Sequence, residues 1–294
     1  MTTWRSYEKH VRVHLLPDPI SDCRVGDLET ADAGDLFRRL LAKGLAPASV
    51  QSVRRTLRAA LNAHPRLKFN IAKAAAGPRA PRPAVAKGKL WTHGQARRFL
   101  SHADAHDVDL AVLVRLALDT GARLGELLAL RWSDIDPAGQ VVATTRTVSA
   151  ERMPGGEAKL RFDSPKSGKP RKIDVDASTM EALGRLRDRQ AAEPVADVAQ
   201  LVFRRPTTLG FQPWRPDSTT HTFQRLAKAA GVPVVPFHYL RHACASWLLE
   251  AGLDVVSVSE GLGHWSPDLT LRVYSHALPG RQRELARAIG AALS

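Results

Sequence analysis

A chain of 294 residues is long enough for two domains with separate cores, and its 44% hydrophobic share is that of an ordinary folded protein, which excludes a disorder-dominated chain. It has no charged-then-apolar leader and no apolar run of about 18 residues, so neither export nor a membrane span is expected and the expected location is cytoplasmic. The formal net charge is +14, and nearly all of the excess lies between Leu36 and Ala103, where fifteen Lys or Arg stand without one Asp or Glu. A surplus confined to one quarter of the chain is the footprint of a polyanion partner, most simply nucleic acid. Cys23 and Cys244 are far apart and in no metal-type spacing, so reduced, partly buried thiols are expected rather than a disulfide or a zinc site.

Trp4, Tyr7, Val11 and Leu15 predict a first helix, stopped by Pro17 and Pro19. A second is predicted from about 31 to 43, with Leu36, Phe37, Leu40 and Leu41 inward and Gly44 at its end. Pro47 opens a third, cored by Val50, Val53, Leu57 and Leu61. Its Arg54, Arg55 and Arg58 fall on another face, free to meet phosphate. The Pro- and Ala-rich stretch over 75–88 has no core pattern and reads as a basic linker able to pass along DNA, with Lys87 and Lys89 as candidate contacts.

Thr92 is placed to cap the next helix, and 109–118 is apolar enough for a buried one. After the Thr120-Gly121 turn, Arg123 opens another helix, with Glu126 one turn on to orient or support a neighbour. Residues 140–175 change to a β pattern: QVVATTRTV, AKLRF and RKIDV, separated by two turns, predict a two- or three-strand hairpin whose second turn carries Lys166 and Lys169. Helices are predicted at about 177–191 and 217–230, with a short strand at 201–203 between them.

The densest signal is PFHYLRHACASWLLEAGLDVVSVSEGLGHWSPDLTLRVYSH, residues 236–276. Leu240, Cys244, Trp247 and Leu248 predict a helix over about 237–250, ended by Gly252, with His238 and Arg241 on one face. His264 follows a short helical run, and Tyr274 lies on a further predicted helix. A guanidinium, two imidazoles and a phenol on successive helices suit attack of a tyrosine on a phosphodiester. His238 and His242 stand four residues apart, but no third metal ligand is signalled.

This constellation resembles the tyrosine recombinases, or phage integrases, whose hallmark is His-x-x-Arg, a His or Trp after Leu-Gly, and a nucleophilic Tyr near the C-terminus. TGARLGELLALRWSDID resembles the family's first arginine motif and SPKSGKPRKIDV its lysine-bearing hairpin. The resemblance implies a mainly α fold with a small β-hairpin sheet: a helical core-DNA-binding domain over 1–74, the linker over 75–88, and a catalytic domain with a C-terminal helix over 89–294. It also implies a catalytic set of Arg123, Lys166, His238, Arg241, His264 and Tyr274. In that set Tyr274 is the nucleophile, His238 the general base and Lys166 the general acid, while Arg123, Arg241 and His264 hold the phosphate. Neither ATP nor a metal is required, because the covalent 3′-phosphotyrosine retains the bond energy.

The implied partners are double-stranded DNA, further copies of the chain in a synaptic tetramer, and a directionality factor. Where the family commonly has Asp after the motif histidine, this chain has Tyr239, expected to point away from the site. A type IB topoisomerase and a catalytically silent DNA-binding regulator are the alternatives; the intact catalytic set argues against the second, and the short basic helical domain against the first. The amphipathic tail around Leu285 and Ile289 either covers its own domain or passes to a neighbouring copy.

Overall fold

The computed structural model describes residues 2–64, 69–78, 90–152, 158–165, 170–191, 200–207 and 210–263. The chain divides into two compact units, Met1–Pro83 and Ala84–Ser294.

In the first unit, α1 (Thr2–His10) runs into a π-helical turn over Val11–Leu15, followed by α2 (Thr30–Ala42), α3 (Pro47–Ala63) and a single turn, α4 (Ile71–Ala74). Leu36, Phe37 and Leu40 of α2 close on Val50, Val53, Leu57 and Leu61 of α3 as predicted. The stripe predicted for α1 needs correction: Leu15 is buried, but Trp4 is 66% exposed and Tyr7 is exposed as well. The π turn, in which Leu16 N donates to Val11 O, adds a residue to one turn and shifts the phase between Tyr7 and Leu15, so a constant 3.6-residue period does not carry across it. Ile71, Ala72 and Ala75 are buried in this core, and Gln51 Nε2 donates to Pro78 O at 2.6 Å, so the chain stays packed on the unit through the first residues of the Pro- and Ala-rich stretch.

The second unit is built around α6 (Val108–Thr120), which is buried along most of its length because α5 (His93–His106), α8 (Ala177–Ala191) and α10 (Tyr239–Glu250) all pack on it. Thr92 caps α5 in a reciprocal box: its hydroxyl accepts from Gln95 N while Gln95 Oε1 accepts from Thr92 N. Trp91, Phe99, Phe223 and Phe237 form a ring cluster with successive centroids 5.0–5.4 Å apart, joining the start of the unit to α9 (Pro216–Ala229) and to the segment before α10.

The β region departs from one continuous hairpin. β1 (Ile135–Asp136), β2 (Val141–Thr144) and β5 (Arg171–Asp174) form an antiparallel sheet in the order β1-β2-β5, with Val142 opposite Ile173. β3 (Thr147–Arg152) and β4 (Ala158–Asp163) pair separately, with Ala150 opposite Leu160. QVVATTRTV is therefore not one strand. Thr145 donates its hydroxyl to Asp134, and Arg146 pairs with the same carboxylate at 3.5 Å, so the chain turns at these two residues and exchanges one partner strand for another.

The strand predicted at 201–203 is likewise corrected. Leu201 makes only an isolated bridge to Arg131, and the hairpin is formed by β6 (Arg204–Thr207) and β7 (Gly210–Pro213). Val202 and Phe203 are buried by packing, which an apolar run does not distinguish from pairing.

Candidate catalytic site

The site grows from the end of α6. Thr120 turns its hydroxyl back to Leu116 O at 2.6 Å and accepts from Ala122 N, while Gly121 leaves the helix at φ +59, a left-handed conformation that suits glycine. A side chain at Gly121 would also strike Leu262 and Cys244, so α10 and α11 (Val255–Leu262) are seated directly on this turn. Two residues later Arg123 caps α7 (Leu124–Leu127), and Arg241 of α10 donates Nη1 to Gly121 O at 2.8 Å. Arg123 and Arg241, 118 positions apart in sequence, are thus brought to the same turn.

Glu126 is 1% exposed and acts as the supporting residue anticipated for it. Its Oε2 accepts from Arg123 N at 3.0 Å and its Oε1 from Arg123 Nη1 at 2.8 Å. Burial alone would raise this carboxyl, but Arg171 and Arg123 outweigh it and hold the pKa below 4.5. Arg123 Nη2 points to Gly263 O at 3.5 Å, which ties the first arginine motif to the residue before His264. Gly263 ends α11 at φ +65.

His238 is the N-cap residue of α10 and is exposed, yet the adjoining protein desolvates it enough to lower its pKa below 6.5, which favours the neutral imidazole that a general base must be. Tyr239 does not point away from it, which corrects the expectation. Its ring meets His238 edge-on at 4.9 Å and His242 at 5.4 Å, because it is half-buried and packs with the apolar residues beneath α10. His242 is desolvated further, and with the charges of His238 and Arg241 its pKa falls to about 4.

Among the described residues, no three or more His, Cys, Asp or Glu side chains gather as a metal would require. Cys244 is buried with its thiol pushed up to about 12 by burial, whereas Cys23 is exposed rather than partly buried, since it lies in the loop after a short 3-10 turn. Lys166, His264 and Tyr274, together with Lys87, Lys89, Lys169, His276 and the C-terminal segment, lie outside the described residues.

Sequence reasoning missed Arg171. Its guanidinium is largely buried, with Nη2 donating to Glu126 Oε2 at 2.8 Å and Nη1 to Leu262 O at 2.6 Å. The alternation of β5 carried the signal, since Arg171 falls on the same inward side as Ile173.

The phage integrase family pattern matches residues 89–281. The chain belongs to the phage integrase family. It is 30% identical over 267 residues to tyrosine recombinase XerD of Caulobacter vibrioides, a match covering 85% of this chain and 78% of that protein. In three dimensions it resembles the Tn1549 transposon integrase in complex with transposon right-end DNA, with a TM-score of 0.77, 22% identity, and coverage of 100% of this chain and 94% of that one. It also resembles a lambda integrase from a tetramer bound to a Holliday junction, with a TM-score of 0.63 and 19% identity over 96% of this chain and 73% of that one. The likeness is one of fold, mainly helical with small sheets. Among the described residues, no helix is long and apolar enough to cross a membrane.

Proposed function

We propose that this protein, a site-specific DNA recombinase of the tyrosine type, cleaves a DNA strand by attack of Tyr274 on the scissile phosphate, leaving a 3′-phosphotyrosine and a free 5′-hydroxyl. The observation that carries this reading is the convergence on the Gly121–Arg123 turn: Arg241 binds Gly121 O while Arg123 reaches Gly263 O, one residue before His264. Two fixed guanidiniums suit a phosphate whose charge grows on the path to the pentacoordinate transition state, because donors already oriented by the fold need no reorganisation when that charge develops. The phosphorus–oxygen bond to Tyr274 forms as the bond to the 5′ oxygen breaks. His238 takes the phenol proton and Lys166 gives a proton to the departing oxygen; His264 hydrogen-bonds a non-bridging oxygen. Reversal with a different 5′-hydroxyl joins new strands, so the reaction uses neither ATP nor a metal ion.

The partner is double-stranded DNA, met first by the basic stretch between Leu36 and Ala103. Exchange of two duplexes needs four such sites, which the lambda integrase tetramer on a Holliday junction supports as the assembly; a directionality factor biases the outcome. The work is nucleoid-associated in the cytoplasm.

A nicked suicide substrate carrying the protein's own recombination site tests the nucleophile. In the presence of EDTA the full chain forms a denaturant-stable DNA adduct, and Tyr274→Phe binds the DNA but forms none. An adduct at the normal rate with Tyr274→Phe sinks the assignment.

A further inference from the structure

Arg171 stands five residues after Lys166, in the same SPKSGKPRKIDV segment and at the start of β5, and is not one of the six residues of the catalytic set. Its side chain is only 14% exposed, and it closes a ring of contacts around Arg123. One edge holds Glu126 Oε2, and Glu126 Oε1 in turn holds Arg123 Nη1; the other edge holds Leu262 O, and the next residue, Gly263, receives Arg123 Nη2. A Cβ built on Gly263 would overlap the Arg171 guanidinium, so the end of α11 lies directly against it.

Stability alone is a poor explanation of this arrangement. Arg171 Nε is buried without a hydrogen-bond partner among the described residues, and burial lowers the Arg171 pKa despite the Glu126 carboxylate. Buried ion pairs of this kind are often matched or exceeded by apolar replacements of equal volume. What the ring supplies specifically is orientation. Arg123 is held by Glu126 and Gly263 while its side chain stays 37% exposed, and Leu262 and Gly263 are the two residues that lead into His264.

We propose that Arg171 is a positioning residue for strand cleavage, bridging Glu126 and the end of α11 so that Arg123 meets the scissile phosphate in one fixed orientation. This rests on the reading of Arg123 as a phosphate clamp. The effect on chemistry is indirect, through the placement of a charge, and misplacement by about 1 Å is enough to cost about 100-fold in rate.

The test uses the full chain as wild type, Arg171→Ala, Arg171→Lys, Arg123→Ala and the double variant Arg123→Ala/Arg171→Ala, in single-turnover cleavage of a suicide substrate. The scissile group is either the normal phosphate or a methylphosphonate, which lacks one non-bridging oxyanion and so makes less demand on the clamp. Arg171→Ala is expected to cleave phosphate DNA about 10- to 100-fold more slowly, with DNA affinity within about threefold of wild type. On the methylphosphonate it should come within about threefold of the wild-type rate, and the double variant should be no slower than Arg123→Ala alone.

A wild-type rate for Arg171→Ala on phosphate DNA, with Arg123→Ala inactive, overturns the proposal and leaves the clamp standing. Equal slowing on both substrates also overturns it, since a general structural defect does not distinguish them. Normal cleavage by Arg123→Ala would instead remove the clamp itself. If Arg171→Ala does not fold, Arg171→Lys decides: it keeps the charge beside Glu126 but lacks a planar fork to span both acceptors, so the same phosphate-selective defect is expected, and its absence overturns the proposal.

Discussion

Arg55 and Arg58 on α3, and Arg123, Arg171 and Arg241 in the second unit, are the same side chain in opposite surroundings. The first two are exposed, and the only side-chain bond described for either is from Arg55 to Ser52. The other three are held by backbone carbonyls and by one buried carboxylate. An exposed cation is hydrated and screened, so what it offers DNA is affinity that disappears with salt. A cation held by the fold has already lost much of its freedom, so its charge is in place before any substrate arrives.

Arg54 shows that position on a helix does not decide which kind an arginine is. Its sequence position groups it with Arg55 and Arg58 as free to meet phosphate, but its Nε donates to Ala72 O at 2.8 Å and its Nη2 to Lys73 O at 3.0 Å, so it pins α4 to α3.

The contrast is broken most directly at Arg241. Arg241→Ala should lower single-turnover cleavage by about 10²–10³-fold with DNA binding largely retained, whereas Arg55→Ala and Arg58→Ala at saturating DNA should stay within about twofold of wild type. A comparable loss in both groups would end the distinction.

Next in size is the pH dependence of stability. His242 titrates near 6.5 when unfolded and at about 4 when folded, so protons favour the unfolded chain: stability is full above pH 6.5 and falls as pH drops toward 4. The shift sets a ceiling of about 3 kcal/mol, reduced by solvent screening because the ring is only partly buried. Glu126 adds to the loss below 4.5, since its folded pKa is depressed and its stabilisation fades as it protonates. Urea midpoints measured from pH 7.5 to 4 should fall less steeply in His242→Gln, and an unchanged profile would assign the slope elsewhere.

Arg54→Ala should cost about 1–2 kcal/mol locally, seen as faster amide exchange at Ala75, whose N–H donates to Ile71 O. If Arg54 is structural, the same variant should barely change the salt dependence of DNA binding. Arg55→Ala and Arg58→Ala should each reduce the slope of log affinity against log salt by about 0.9 if each neutralises one phosphate. A reduction by Arg54→Ala and none by its neighbours would invert the assignment. The smallest effect is chemical: at pH 8, alkylation should mark Cys23 and spare Cys244, whose thiol at about 12 stays protonated.

Much of the chain could be read without its fold, because local chemistry decided it. Thr92 and Gln95 cap α5 through bonds three residues long, Gly121 and Gly252 end helices where φ must be positive, the apolar periods of α2 and α3 report buried faces, and the apolar run of α6 reports a buried helix. The order of Arg123, Lys166, His238, Arg241, His264 and Tyr274 is read from the sequence through its resemblance to the tyrosine recombinases.

What needed tertiary structure was every pairing between distant segments. The sequence of α3 does not say that α4 will bring two carbonyls to Arg54 and none to Arg58. Nor does RKIDV say that Arg171 will find Glu126, 45 positions away, and Leu262 O, 91 positions away. The break of one apparent strand into β2 and β3 is of the same kind, since strand propensity is satisfied by either partner and only packing selects β5 for one half and β4 for the other. A charge is written in the residue, but whether it is hydrated, paired or aimed is set by what the rest of the chain places beside it.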